Sequence, residues 1–94
     1  MQVTVEFTGL ARYIMAKKDL LLDLNEPCTY KDILCGLAKT YPHLVGLLIN
    51  QDGETLMSGN LLIINGDLAT PAMVMDESPK EGERLVIMSL VTGG

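Results

Sequence analysis

The sequence predicts an α+β fold, a mixed sheet gripping one main helix, on three observations. The chain opens with alternating apolar and polar residues, continues through one stretch of helical spacing, and closes with a strongly apolar strand that follows an Asn-Gly turn. Ninety-four residues without an internal repeat fit one domain. Hydrophobic residues at 48% and charged residues at 20% match a globular chain and not a disordered or fibrous one.

Val3, Val5 and Phe7 alternate with Gln2, Thr4, Glu6 and Thr8, which reads as a half-buried strand ending at Gly9. After Leu10–Ala16 and a Lys17-Lys18-Asp19 turn, Leu20, Leu22 and Leu24 alternate with Asp19 and Asp23, so a second strand returns antiparallel to the first. Thr29 then caps a helix with Asp32 in its first turn. Tyr30, Ile33, Leu34, Leu37, Ala38 and Tyr41 form its apolar stripe, Lys31, Gly36 and Lys39 lie on the far side, and Pro42 closes it. Residues 44–60 suit either a helical turn or a small hairpin; the expectation is a strand-like excursion turning at Asp52-Gly53. Leu61-Leu62-Ile63-Ile64 runs into Asn65-Gly66, a hairpin signal because both turn positions need positive φ, and a short return passes through Leu68-Ala69. Beyond the proline-bounded acidic stretch 71–82, Arg84–Val91 forms the last strand, with Leu85, Ile87, Ser89 and Val91 on one face and Val86, Met88 and Leu90 on the other. A helix crossing from the second strand lets the later strands join the same sheet, and by analogy with known sheets of this order the first and last strands are expected to be parallel central neighbours. That order is the β-grasp arrangement.

Several function classes are excluded. The longest apolar run, Leu44–Ile49, is far short of a bilayer span, and nothing resembles a signal peptide. Twelve acids against seven Lys and Arg give a net charge of −5, with no basic cluster larger than Lys17-Lys18, so nucleic acid and membrane are not expected as partners. Cys28 and Cys35, seven positions apart, are too distant on one helix to form a disulfide, which fits a reducing, cytoplasmic setting. Cys28 is expected to pack at the helix start and Cys35 to be partly exposed. One histidine, His43, expected at the surface, leaves no metal-ligand set and no triad, and no phosphate loop or nucleophile elbow occurs. Asp76-Glu77 and Glu81/Glu83 read as solvated turn acids without a catalytic role.

The remaining chemical feature is Gly93-Gly94. With 9 glycines in 94 residues, such an ending arises by chance in about one chain in a hundred. A carboxylate is a poor electrophile until activated, and an enzyme that activates it through a narrow channel admits glycine where a Cβ would clash. The five residues after Ser89 reach about 17 Å when extended, far enough to enter a partner's site while the folded body stays outside. The expected division is therefore a domain of residues 1–89 and a flexible tail of residues 90–94.

Phe7-Thr8-Gly9-Leu10-Ala11-Arg12, Tyr41-Pro42-His43-Leu44, Ile64-Asn65-Gly66-Asp67 and Glu81-Gly82-Glu83-Arg84-Leu85-Val86-Ile87, in that order and ending in Gly93-Gly94, carry a resemblance over nearly the whole chain. The sequence resembles the ubiquitin-like β-grasp sulfur-carrier family: the molybdopterin synthase small subunit, the thiamin-pathway sulfur carrier and the ubiquitin-related modifier. Ser89-Leu90-Val91-Thr92 stands where the molybdopterin branch usually has a proline pair, and Met57-Ser58-Gly59 looks nearer the ubiquitin-related modifier.

The resemblance implies a carrier with no cofactor and no catalysis of its own. A partner activating enzyme of the ubiquitin-activating type would use ATP to adenylate Gly94, and sulfur from a persulfide enzyme would displace AMP to leave a thiocarboxylate. Gly93 would supply slimness. The sulfur would pass to an acceptor such as a molybdopterin synthase large subunit, or into tRNA thiolation. In the modifier alternative a lysine amine attacks Gly94 instead; a non-conjugated interaction module is the other. Partner docking is expected on the outward face of the last strand, Val86, Met88 and Leu90, with Leu61 and Ile63, unless residues 44–60 and 70–80 cover that face as second core.

Overall fold

A computed structural model describes residues 1–90, and its sheet grows from the alternation at both ends of the chain. Strand β1, Gln2–Gly9, buries Val3, Val5 and Phe7 almost completely. Strand β2, Asp19–Asp23, pairs antiparallel to it, with Leu22 opposite Val3 and Leu20 opposite Val5. Between them the sequence reading assigns no element, and the chain makes helix α1, Leu10–Met15, whose Ala11 and Met15, one turn apart, face the core.

Helix α2, Tyr30–Thr40, starts where the cap is expected. Thr29 Oγ1 accepts from the Asp32 N–H at 3.2 Å while Asp32 Oδ2 accepts from the Thr29 N–H at 2.9 Å, a reciprocal pair that satisfies two otherwise orphaned donors. Tyr30, Ile33, Leu34 and Leu37 are buried, and Ala38 and Tyr41 pack at the margin of the same core. A 3-10 turn, Pro42–Leu44, follows.

Strands β3, Asn60–Ile64, and β4, Asp67–Ala69, flank Asn65 at φ 49° and Gly66 at φ 89°, the positive values the turn requires. After the short helix α3, Pro71–Val74, strand β5, Arg84–Ser89, enters the middle of the sheet, parallel to β1 and antiparallel to β3. The order is β2-β1-β5-β3-β4, with α2 across one face: the β-grasp topology.

Three expectations change. Residues 44–59 form no strand. They are held by isolated bridges between Val45 and Ile49 and between Ile49 and Leu56, and they bury Leu44, Leu48, Ile49 and Leu56 in the main core, because one 11-residue helix leaves the ends of the sheet uncovered. The last strand stops at Ser89, before Leu90, and its expected last residue, Val91, lies outside the described residues. Gly9 on one side and Asn60 on the other are the terminal residues of its neighbours, so among the described residues the ladder registers end at Ser89. Glu83 is not a solvated turn acid; it is 5% exposed.

Candidate functional site

The side of the sheet away from α2 is set by the period of β5. Leu85, Ile87 and Ser89 are buried, whereas Val86 and Met88 are half-buried on the opposite face. The antiparallel register seats Leu61 directly against Met88 and Ile63 against Val86, so four of the five expected docking residues form two adjacent cross-strand pairs. Leu44, Leu48, Ile49, Leu56 and Met75 all join the core with Val5, Leu85 and Ile87, so the buried side chains of 44–60 and 70–80 lie on the α2 side. Leu90, the fifth, lies past the end of the strand and is 50% exposed; its N–H donates to the Gly59 carbonyl at 3.1 Å.

Sequence reading missed the flanks of this face. Strand β1 contributes Glu6 beside Val86 and Thr8 beside Met88, and Arg84 Nη2 reaches Glu6 Oε1 at 2.6 Å, giving the apolar pairs a charged border. Leu68, 68% exposed, extends the apolar area next to Ile63. Thr8 Oγ1 and Asn60 Oδ1, on the two strands that bracket the end of β5, are buried with no hydrogen-bond partner among the described residues. Pairing register, which composition and periodicity do not carry, was the missing signal.

The exit of β5 is built by glycine. Gly9 sits at φ 63° and ψ −141°, and a Cβ there would stand 2.5 Å from the Ser89 carbonyl oxygen. Gly93 and Gly94, the expected reacting terminus, lie outside the described residues, as does most of the 90–94 tail.

Below the exit, β5 is pinned at its start. The buried Glu83 carboxylate accepts from the Tyr30 hydroxyl and, at 3.5 Å, from Asn65 Nδ2. Burial first, and then the bond to Glu83, push the Tyr30 phenol well above its ordinary range. Cys28 is buried, and that burial, with Asp32 nearby, raises its thiol; Cys35 is half-buried, donates to the Gly53 carbonyl at 3.1 Å, and both thiols are free. His43 is exposed, with Nε2 at 3.1 Å from the Ile14 carbonyl. Among the described residues no cluster of His, Cys, Asp or Glu could hold a metal ion, and no helix is long and apolar enough to cross a membrane.

A comparison with protein-family models found no match, and one with curated proteins likewise found none. Solved structures do match. Small archaeal modifier protein 1 from Haloferax volcanii superposes with a TM-score of 0.80 at 21% identity, over the whole of both chains. Urm1 from Trypanosoma brucei gives 0.66 at 26% identity, over 99% of this chain and 95% of that one. This chain has the ubiquitin-like β-grasp fold. A protein–protein complex of subunits 1 and 2 of the molybdopterin-converting factor from Helicobacter pylori contains a further neighbour, with a TM-score of 0.62 at 16% identity over all of both chains. These neighbours, a small archaeal modifier, a Urm1 and a molybdopterin-converting factor subunit, share the β-grasp fold of the family that the sequence resembles.

Proposed function

We propose that this chain is a sulfur carrier whose body is the handle and whose Gly94 carboxylate, when free, is the reacting group. The observation that carries this reading is the geometry of β5. The strand at the centre of the sheet bears an open apolar face with a charged border and ends at a glycine-built exit, five positions ahead of Gly94.

On this reading the outer face of Val86, Met88, Leu61 and Ile63 docks the partner enzymes in turn, and the tail reaches their reaction centres. An activating enzyme joins the Gly94 carboxylate to AMP from ATP, releasing pyrophosphate. The terminal sulfur of a partner's persulfide then displaces AMP to form an acyl disulfide with that partner. A second thiol of the partner cleaves the S–S bond by forming a disulfide with the donor cysteine, and the thiocarboxylate so released donates sulfur to an acceptor enzyme of the synthase type in molybdopterin-type cofactor synthesis, or to tRNA thiolation. All catalytic groups belong to the partners. The Helicobacter pylori neighbour, recorded in complex with a second subunit, supports a synthase-type partner, and the cytoplasm is the compartment where such enzymes and two free thiols fit together.

A second reading is supported by the small archaeal modifier proteins among the neighbours: conjugation of Gly94 to a lysine amine of another protein. Incubation with a ubiquitin-activating-type enzyme, ATP and a persulfide donor, followed by intact mass measurement, separates the two. Replacement of one terminal oxygen by sulfur supports the carrier; lysine-linked adducts without that product support the modifier. Neither product would leave an interaction module. Deletion of Gly94 is expected to abolish either reaction with the fold intact.

A further inference from the structure

The β2 edge of the sheet is open, and its chemistry specifies what fits it. Phe7 N–H donates to the Lys18 carbonyl at 2.8 Å, and Leu24 N–H donates to the Met1 carbonyl at 2.7 Å. These bonds fix the phase of the ladder. Even-numbered residues of β2 turn their backbone groups to β1, so Asp19, Leu21 and Asp23 turn theirs to the open side. A row of unused donors and acceptors of this kind is a template for one more strand.

Beside this row lies an apolar groove between β2 and α2, floored by Leu20, Leu22, Ile33, Leu37 and Tyr41. Its volume is about 290 Å³, below the range that holds a typical small-molecule ligand but enough for a few side chains. At Gly36, on the helix wall, an added Cβ would meet nothing within 4 Å. The opposite side of the strand carries Asp19, Leu21 and Asp23, with Leu21 64% exposed. Gln2 Nε2 donates to Asp23 Oδ1 at 2.9 Å, and among the described residues neither Asp19 nor Asp23 is in an ion pair.

We infer that this edge receives an extended segment of a partner protein in which three consecutive apolar residues are flanked on both sides by Lys or Arg. Opposite charges across neighbouring strands attract and like charges repel. The strand reads Asp-Leu-Leu-Leu-Asp, so its complement is basic, three apolar, basic, and the symmetry of that pattern suits either strand direction. A second copy of this chain does not fit: β2 paired antiparallel with itself sets Asp19 against Asp23 twice. The groove faces α2, whereas Val86 and Met88 face the other way. The inference stands whether or not the carrier reading holds.

The test titrates a soluble peptide with the core Lys-Val-Ile-Val-Lys into the isotope-labelled full-length protein. Amide shifts at Asp19, Leu21, Asp23 and Gly36, with slowed hydrogen exchange at the three edge amides, are expected. The same peptide with Glu for Lys should bind about ten-fold more weakly, and Asp19→Lys/Asp23→Lys should invert that preference. Because the first comparison uses the unaltered protein, it does not depend on how a variant folds. Gly36→Leu should weaken both peptides by filling the groove. Absence of binding at millimolar peptide, indifference to the flanking charge, shifts confined to the Val86 and Met88 face, or self-association through β2 would each overturn the inference.

Discussion

Gly9 and Ser89 end their strands side by side, so close that a methyl group on Gly9 would stand 2.5 Å from the Ser89 carbonyl oxygen. Gly9 also holds a backbone conformation that only glycine adopts freely. Gly9→Ala is therefore expected to destabilise the fold by about 3 kcal/mol in urea unfolding, through strain and displacement of β5. At Gly59, φ is +90° but a Cβ would meet nothing, so Gly59→Ala should cost about 1 kcal/mol. Equal losses would show that close approach at the exit does not matter.

Tyr30 and Glu83 join the first turn of α2 to the entry of β5 through a buried bond. Tyr30→Phe leaves the carboxylate short of a donor and should cost about 2 kcal/mol. Tyr30→Phe combined with Glu83→Gln should cost less than the sum of the two single changes, which a double-mutant cycle by denaturant unfolding reads directly.

Thr29, first through its backbone N–H and then through its side chain, holds the Asp32 carboxyl below its ordinary range. The folded value is the lower one, so the cap stabilises the fold above the unfolded carboxyl's pKa and loses that contribution as pH falls through the folded value. Thr29→Ala should cost about 1 kcal/mol near neutrality. The stability gap between the unaltered protein and Asp32→Asn should shrink below about pH 4. A gap constant with pH would remove the electrostatic part of the cap.

Met88 lies at the centre of the outer face, against Leu61 and beside Thr8. Met88→Asp is expected to keep the native circular-dichroism spectrum while lowering affinity for an activating or synthase-type partner at least about ten-fold. A variant that folds and binds normally would move the docking surface elsewhere.

What could be read in the sequence was whatever a local period or a single residue's backbone preference encodes. The Val3, Val5, Phe7 alternation, the Thr29 cap and the Asn65-Gly66 turn all lie where their chemistry put them. Val86, Met88, Leu61 and Ile63, the residues proposed for docking, were legible as apolar positions left over after one helix is satisfied, and the register sets them side by side. Glu83 was misread because its partners, Tyr30 and Asn65, are 53 and 18 positions away. Residues 44–60 resisted reading because their bridges are isolated and their apolar residues follow neither period. The Thr8 and Asn60 oxygens at the exit depend on pairing alone.

The parallel pairing of β1 with β5 also bears on how the chain is made. Thr4 meets Arg84 only after most of the polypeptide exists, and until then the sheet is two unconnected halves, β1 with β2 and β3 with β4. Strand β5 is the keystone, and it is also the segment that leads directly to Gly93-Gly94. A nascent chain, or one truncated before residue 84, therefore lacks a closed sheet, and the outer face that pairs Val86 with Ile63 and Met88 with Leu61 exists only once β5 is in place.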